Sequence, residues 1–433
     1  GAAVSCRSSR GYCGGMRRWL VAAVAAACVA AGCGGEEAGS GSRELTWFVP
    51  FQPGGAIDAI TKRCSEKSGG RYSISVELLP TDASQQREQL VRRLGAEDDS
   101  IDLIGMDVIW TGEFANAGWL PPVPAGIEEQ VTENVFDSVL ETARFEGDLY
   151  AIPLWSNTQL LWYRTDRVEE PPETWDEMLD IAEELGPAEG RIQVQANRYE
   201  GLVVWTNMMI ESAGTSILSG TDAVELEREP AERALALMGR LSNSPVAAAN
   251  ISTSTEDTAR LGFEDGSSAF MINYPFVYPS AESNAPDVFE NMGAAKLPQV
   301  VAGEESAPPI GGINLGVSAF SDNKELAFEA AECLVQADNQ LEVAKLEGLP
   351  PVRSDLFDEP EIREIYPGFA DLIRESIADA APRPAQSPAY QDISLAIQRT
   401  VHPTSGIDPG DPGATYDELR ENVEDAVNRE GLL

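Results

Sequence analysis

The order of apolar and polar positions at the start of the folded part of the chain predicts alternating strands and helices. Residues 44–49, 72–79 and 101–106 have strand patterns, and the last run is nearly all apolar, which is typical of a sheet covered on both faces. Residues 56–66 and 85–94 lie between them and have helical apolar spacing. This order predicts an α/β domain with a mostly parallel sheet.

The pattern changes after residue 150 and returns to the first type near residue 308. Strands are predicted at 157–163, 193–196, 270–272 and 313–317, and helices at about 201–213, 228–242, 256–264 and 324–335. A chain that leaves one α/β domain, builds a second and returns predicts two lobes with more than one crossing between them. We expect a hinge near 153–156 and 308–311.

The predicted lobe boundaries follow from these crossings. Lobe 1 comprises 43–153 plus 311–363, and lobe 2 comprises 154–310 plus 364–433. The fold class is therefore α/β with two lobes.

The first 42 residues have the pattern of an export signal followed by a linker. Met16 and two arginines precede an apolar run of 14 residues, too short for a comfortable membrane span, and the small residues before Cys33 resemble a bacterial lipobox. We expect residues 1–33 to be a leader with lipidation at Cys33, and 34–42 to be a flexible linker. The predicted location is the extracytoplasmic face of the cell membrane, with the lipid anchor as the membrane contact.

Charge and histidine content exclude several classes of function. The chain has 31 basic and 71 acidic residues, and a net charge of −40 repels nucleic acid and anionic lipid headgroups. A single histidine, His402, cannot build a His-based zinc site or a catalytic triad. No phosphate-binding glycine loop stands in its required strand–turn–helix setting. We therefore predict no nucleic-acid partner, no metal and no cofactor, and we expect a monomer.

Cysteine usage points to one disulfide. Cleavage and acylation at Cys33 would leave Cys64 and Cys333 as an even pair in an oxidising compartment, which favours a bridge. Two separately buried free thiols are the alternative.

Aromatic and planar polar residues at predicted strand ends suggest a sugar site. Sugars present apolar C–H faces and many hydroxyls, which suit aromatic rings combined with carboxylates, amides and an arginine. The aromatic candidates are Trp110, Trp155, Trp162, Trp205, Tyr274, Phe276 and Tyr278, and the polar ones are Gln52, Gln86, Asp107, Asn157, Glu200 and Arg383. Core packing is the alternative for each aromatic, above all for Trp162 inside a strand. Asp107 and Glu200 could also be the paired acids of a glycoside hydrolase.

Seven segments, in order, resemble the extracellular solute-binding proteins of ABC sugar importers, the family that includes maltose-binding protein. They are KRCSEKSGGRYSI (62–74), IDLIGMDVIWTGEFANAGW (101–119), SNTQLLWYR (156–164), EGLVVW (200–205), GGINLGV (311–317), LEGLPPVR (346–353) and RPAQSPAYQ (383–391). Within the family they are most similar to the trehalose-binding lipoproteins of actinobacteria. The resemblance implies a periplasmic-binding-protein-like fold of type II with the ligand cleft between its lobes.

The resemblance also implies a function and a set of site residues. The function is that of a lipid-anchored receptor that binds a disaccharide, with trehalose favoured, and delivers it to the permease and ATPase subunits of an ABC importer. Carried over by segment, the ligand-binding residues are Asp107, Asn157, Glu200, Arg383, Gln86 and Gly312. Tyr274 stands where relatives have tryptophan, and Gln52 is assigned by position because its loop, 50–55, departs from theirs. The family's cysteine pair matches Cys64 and Cys333.

Overall fold

The computed structural model describes residues 42–80 and 83–428. The predicted leader, Cys33 and residues 34–41 of the predicted linker therefore lie outside the described residues. Within the described part of the chain, no helix is long and apolar enough to cross a membrane.

The described residues form strands, α-helices and short 3₁₀ helices. The strands are β1 Arg43–Pro50, β2 Tyr72–Leu79, β3 Leu103–Asp107, β4 Arg144–Phe145, β5 Asp148–Leu149, β6 Ala151–Asn157, β7 Leu160–Arg164, β8 Arg191–Gln193, β9 Leu218–Ser219, β10 Ala223–Val224, β11 Ser268–Asn273, β12 Met292–Ala295 and β13 Gly311–Val317. The helices are α1 Ala56–Lys67, α2 Ala83–Leu94, α3 Thr111–Asn116, α4 Ala125–Val131, α5 Asp137–Ala143, α6 Trp175–Leu185, α7 Glu200–Ser212, α8 Arg228–Asn243, α9 Glu256–Glu264, α10 Val277–Asn284, α11 Pro286–Phe289, α12 Lys324–Leu334, α13 Ala337–Glu347, α14 Pro360–Ile365, α15 Ala370–Ala378, α16 Tyr390–Val401 and α17 Gly413–Asn428. Short 3₁₀ helices lie at Val108–Trp110, Ile251–Thr253, Ser354–Asp358 and Thr404–Gly406.

The first sheet has the order β2-β1-β3-β13-β6. Strands β1, β2 and β3 are parallel, as the sequence predicts, whereas β13 runs antiparallel to both β3 and β6. The carboxyl ends of β1 and β3 therefore meet the start of β13 at one edge of the sheet. Ligands of open α/β sheets bind at this kind of edge.

The second sheet has the order β12-β7-β11-β8 and is covered on both faces. Alternate residues of β7 belong to different cores, because Leu161 packs in one cluster and Trp162 in another. Strand β11 divides in the same way between Phe270 and Met271. Helices α7, α8, α16 and α17 cover one face, and α14 and α15 cover the other.

Strand β6 is the largest departure from the predicted elements. The sequence pattern suggests one strand at 157–163, but the chain forms β6 in the first sheet and then β7 in the second. Pro153 makes β6 hard to predict from the sequence, because proline cannot donate a hydrogen bond to a neighbouring strand. The structure accommodates it because β6 is the edge strand of its sheet, with a register shift at Leu154 next to Pro153. The lobe boundary predicted at 153/154 falls inside β6 and stays a prediction.

A later segment, 381–386, joins parts of the two sheets and is called the strap. The Ala381 N–H donates to the Pro308 carbonyl at 2.9 Å, beside the passage from β12 to β13. At its other end the strap lies so close to α3 that a β-carbon on Gly112 would fall 2.6 Å from the Ala385 carbonyl oxygen. Glycine at 112 is therefore needed for this contact.

The predicted disulfide between Cys64 and Cys333 is present. It ties α1 to α12, with the two Cα atoms 5.9 Å apart and a sequence separation of 269 between the cysteines. Asn339 supports the bridge, because its Nδ2 donates to the Cys333 carbonyl at 2.7 Å. The bridge therefore fixes the late helices of the first sheet's layer to its first helix.

Candidate functional site

Arg383 in the strap lies at the centre of an ionic network between elements of the two sheets. Only 6% of the residue is exposed. Its Nη1 donates to Glu200 Oε1 at 2.6 Å, and its Nη2 lies 3.6 Å from Asp107 Oδ1. Since Asp107 ends β3 and Glu200 begins α7, one guanidinium connects the first sheet to the helical layer of the second.

Asp107 is placed by the end of its strand. Its Oδ1 accepts a hydrogen bond from the Ile109 N–H at 3.2 Å and so caps the 3₁₀ helix that follows β3. One quarter of the side chain remains exposed. Burial raises the pKa of Asp107, the positive charge of Arg383 opposes that rise, and Glu200 adds to it. The carboxylate keeps accessible lone pairs beside its ionic partner.

Glu200 is held by three donors. Its carboxylate accepts hydrogen bonds from Arg383, from the Tyr390 hydroxyl and, at 2.6 Å, from the Ser394 hydroxyl. Glu200 is also the first residue of α7, where the helix N-terminus is electropositive. A carboxylate engaged in this way positions its neighbours and is poorly suited to act as a free general base.

Tyr274 interacts electrostatically with this network and with a second acidic group, Glu256. It follows β11 directly and is partly exposed. Burial is the main cause that raises the pKa of Tyr274, and the negative charge of Glu256 raises it further. Arg383 lowers this pKa, whereas Asp107 and Glu200 raise it. These interactions place the phenol within electrostatic range of both groups.

Tyr199 and Glu256 are residues that the sequence analysis missed. The Tyr199 ring packs over the start of α7, where a β-carbon on Gly201 would fall 2.2 Å from the Tyr199 hydroxyl oxygen. Burial and then the Glu256 carboxylate raise the pKa of Tyr199. A usable signal was present, since Tyr199 directly precedes a candidate residue and Glu256 begins a predicted helix.

Asn157 and Gly312 lie at the same edge of the first sheet as Asp107. Asn157 ends β6 and pairs with Gly311, while Asp107 pairs with Ile313. Gly312 has φ 128°, and a β-carbon there would fall 2.2 Å from the Trp155 carbonyl oxygen. Glycine is therefore required at 312 for close strand contact.

The two predicted glutamines differ from this group. The buried Gln86 donates from Nε2 to the Pro80 carbonyl at 2.8 Å, so part of its amide is bound by its own chain. Gln52 is half-buried in the turn after β1. The structure thus brings Asp107, Glu200 and Arg383 into one ionic network, but it shows no contact of either glutamine with that network.

Most of the candidate tryptophans are core residues. Trp162 is fully buried, and its Nε1 donates to the Asn273 carbonyl at 2.9 Å. Trp110, Trp155 and Trp205 are also buried. Little ring surface of these four side chains is left for a ligand.

A cavity of about 250 Å³ lies beside Arg383, between α5, the end of α7 and the strap. Glu141 and Glu211 line it from the two sides. Burial raises the pKa of Glu211 to about 7, Ser216 opposes the rise with a hydrogen bond of 2.9 Å, and Glu225 and Glu141 increase it. Glu211 therefore changes charge near neutral pH.

This shift predicts a pH dependence of stability. Because the folded state raises the pKa of Glu211 from 4.5 to about 7, folding binds a proton and stability falls as pH rises between these values. Above pH 7 the charged carboxylate destabilises the fold by on the order of 3 kcal/mol. We expect Glu211→Gln to remove that loss, measured by urea unfolding from pH 4 to 8. The exposed Glu229→Gln is the control and should follow the wild-type curve; a Glu211→Gln curve parallel to wild type would contradict the prediction.

Comparison with known proteins identifies the family. The sequence profile of the bacterial extracellular solute-binding protein family matches residues 59–366. The chain belongs to this family. Its extracellular character implies an extracytoplasmic location, in agreement with the predicted export.

Relatives and solved structures agree with the family. A probable ABC transporter-binding protein of Deinococcus radiodurans is 25% identical over 354 residues, which cover 78% of this chain and 82% of that protein. The maltotriose-binding protein of Pyrococcus abyssi is 24% identical, covering 62% of this chain and 58% of the relative. Maltose-bound MalE3 of T. maritima superposes with a TM-score of 0.78 at 25% identity, covering 90% of this chain and all of that one.

Membership of this family tests two of the predictions made from the sequence. The maltose-binding-protein-like α/β fold is confirmed. The hydrolase alternative is wrong, because this family consists of binding proteins. The engagement of Glu200 by three donors agrees with a binding role.

Proposed function

We propose that this solute-binding protein is the sugar receptor of an ABC importer, with an α-linked disaccharide, trehalose favoured, as its ligand. The observation that carries the proposal is the Arg383 network, which joins Asp107 at the edge of the first sheet to Glu200 beneath the second. A ligand bound there would contact elements of both sheets at once.

The chemistry of the site suits a neutral, hydroxyl-rich ligand. Asp107 offers acceptor lone pairs, Arg383 offers charge-assisted donors, and Tyr274 offers a partly exposed phenol. Arg383 is already paired with two carboxylates, so its charge does not require an anionic ligand. A relative named for maltotriose and a neighbouring structure holding maltose support a glucose-based saccharide.

The proposed mechanism is closure around the sugar. A sugar that contacts both lobes would bind the closed state more tightly than the open state. The equilibrium would shift toward the closed state by that difference in binding free energy. Of the two proposed hinge segments, 308–311 lies at the end of the passage from β12 to β13, whereas 153–156 lies within β6, shortly before the chain passes to β7. The closed receptor would then dock on the permease, which works with its ATPase subunits.

The proposed lipid anchor at Cys33 would hold the receptor at the membrane throughout this binding cycle. Tethering a monomeric receptor to the membrane keeps it at a high effective concentration beside its importer. Contact with the membrane would be through the lipid alone, since the strongly acidic chain is repelled by anionic headgroups.

Thermal shift with a panel of mono- and disaccharides, followed by calorimetric titration, tests the proposal. We expect trehalose or another α-linked disaccharide to raise the melting temperature and be recovered intact. Asp107→Ala should weaken binding at least tenfold, or about 1.4 kcal/mol, because it removes a ligand acceptor and a partner of Arg383. Asp148→Ala, which changes an exposed acid in the short strand β5, is the control and should bind as wild type does. A panel in which no sugar binds the wild-type protein would reject the proposed function.

A further inference from the structure

Phe51 is an exposed aromatic residue at the edge of the first sheet where the candidate site lies. It follows β1 directly and is 54% exposed. Strands β1 and β3 are parallel, with Trp47 opposite Leu103 and Phe48 opposite Ile104. Continuing that register places Phe51 beside Asp107.

Close contacts support this extrapolated register. A β-carbon on Gly105 would lie 3.2 Å from the Pro50 ring and 3.3 Å from the Val49 Cα. The two strands therefore remain in contact up to the residue that precedes Phe51.

The loop that carries Phe51 is fixed from a distant part of the chain. Glu347, at the end of α13, accepts hydrogen bonds from the Gly54 N–H at 2.8 Å and the Ala56 N–H at 2.9 Å. A β-carbon on Gly54 would fall 2.1 Å from the Leu346 carbonyl oxygen, so the two segments are in direct backbone contact. The carboxylate also satisfies N–H groups at the start of α1, which has no side-chain cap of its own. Phe51 is thus exposed on an anchored loop.

We propose that Phe51 is the aromatic platform of the sugar site and a determinant of its specificity. Its ring packs against the apolar C–H face of a pyranose whose hydroxyls are bound beside Asp107. This inference rests on the proposed function and narrows the ligand to saccharides with a glucopyranose-like apolar face. The burial of the candidate tryptophans supports it, because Phe51 has the exposed ring surface that Trp110 and Trp155 lack.

Three substitutions at Phe51 separate stacking from other roles. We expect Phe51→Ala and Phe51→Leu to weaken binding of the best disaccharide of the panel about tenfold, since neither offers an aromatic face. Phe51→Tyr keeps the ring and should stay within about twofold of wild type. Leu78→Ala is the matched control, because Leu78 lies on neighbouring β2 and is also 54% exposed. All affinities are measured by calorimetric titration on the full chain.

The outcomes of these titrations are distinct. If Phe51→Ala binds the sugar as wild type does, or if Phe51→Tyr loses as much affinity as Phe51→Ala, the platform is overturned while the receptor function stands. If the wild-type protein binds no sugar, the proposed function itself fails.

Glu347 is the positioning residue in this proposal, and a double-mutant cycle tests it. We expect Glu347→Gln to weaken sugar binding about threefold in the wild-type background and to have no effect in the Phe51→Ala background. Equal losses in both backgrounds would show that Glu347 acts on general structure and would overturn its role in placing Phe51.

Discussion

The Arg383→Met variant is expected to have a free energy of unfolding about 3 kcal/mol below wild type and to bind sugar at least tenfold more weakly. Methionine fills much of the same space but leaves Asp107 and Glu200 without their shared cation. Breaking a buried ion pair on one side is costly because the remaining charge stays desolvated. Urea unfolding and calorimetric titration measure the two losses separately.

Two comparisons make this result specific. Arg363 pairs with Asp371 at an exposed position, so Arg363→Met should change stability by less than about 1 kcal/mol. Adding Glu200→Gln to Arg383→Met removes one uncompensated charge and should recover part of the stability. A variant that loses stability but keeps full sugar affinity would show that Arg383 merely ties the end of the chain to the body of the protein.

Removing the disulfide with Cys64→Ala and Cys333→Ala is expected to lower the free energy of unfolding by about 4 kcal/mol. The bridge closes a loop across 269 residues, so its loss releases a large restriction on the unfolded chain. Alanine suits Cys64 because this position is fully buried beside apolar neighbours. Urea unfolding of the oxidised wild type and the double variant measures the difference.

Reduction provides the internal control for that experiment. A thiol reductant should destabilise the wild-type protein to the level of the double variant and leave the variant unchanged. Sugar affinity should be equal in both proteins where both are folded, since the bridge lies between α1 and α12 and not at the Arg383 network. Equal stability of wild type and variant under oxidising conditions would contradict the prediction.

Local patterns predicted the elements that carry the site, because strand and helix periodicity survive folding. The start of α7 was expected at 201 and lies at Glu200, and α9 matches its predicted range. The end of β3 was expected at 106 and lies at Asp107. The candidate residues at these two ends, Asp107 and Glu200, are accordingly adjacent to Arg383.

Tertiary contacts account for what the sequence did not predict. A tryptophan at a strand end is equally compatible with a core and with a cleft, and packing alone decides between them, as for Trp110 and Trp155. The loop that carries Phe51 is held by hydrogen bonds to Glu347, far away in the chain. Tyr199 and Glu256 lie beside helix starts that the sequence does predict, but their interaction joins segments separated in sequence and follows from packing.

The late position of Arg383 in the chain has a consequence for biosynthesis. Translation and export proceed from the N-terminus, so Asp107 and Glu200 emerge well before the strap that neutralises them. Until then the nascent chain carries these two like charges without the cation that connects them. The ionic connection between elements of the two sheets is therefore a property of the finished chain alone.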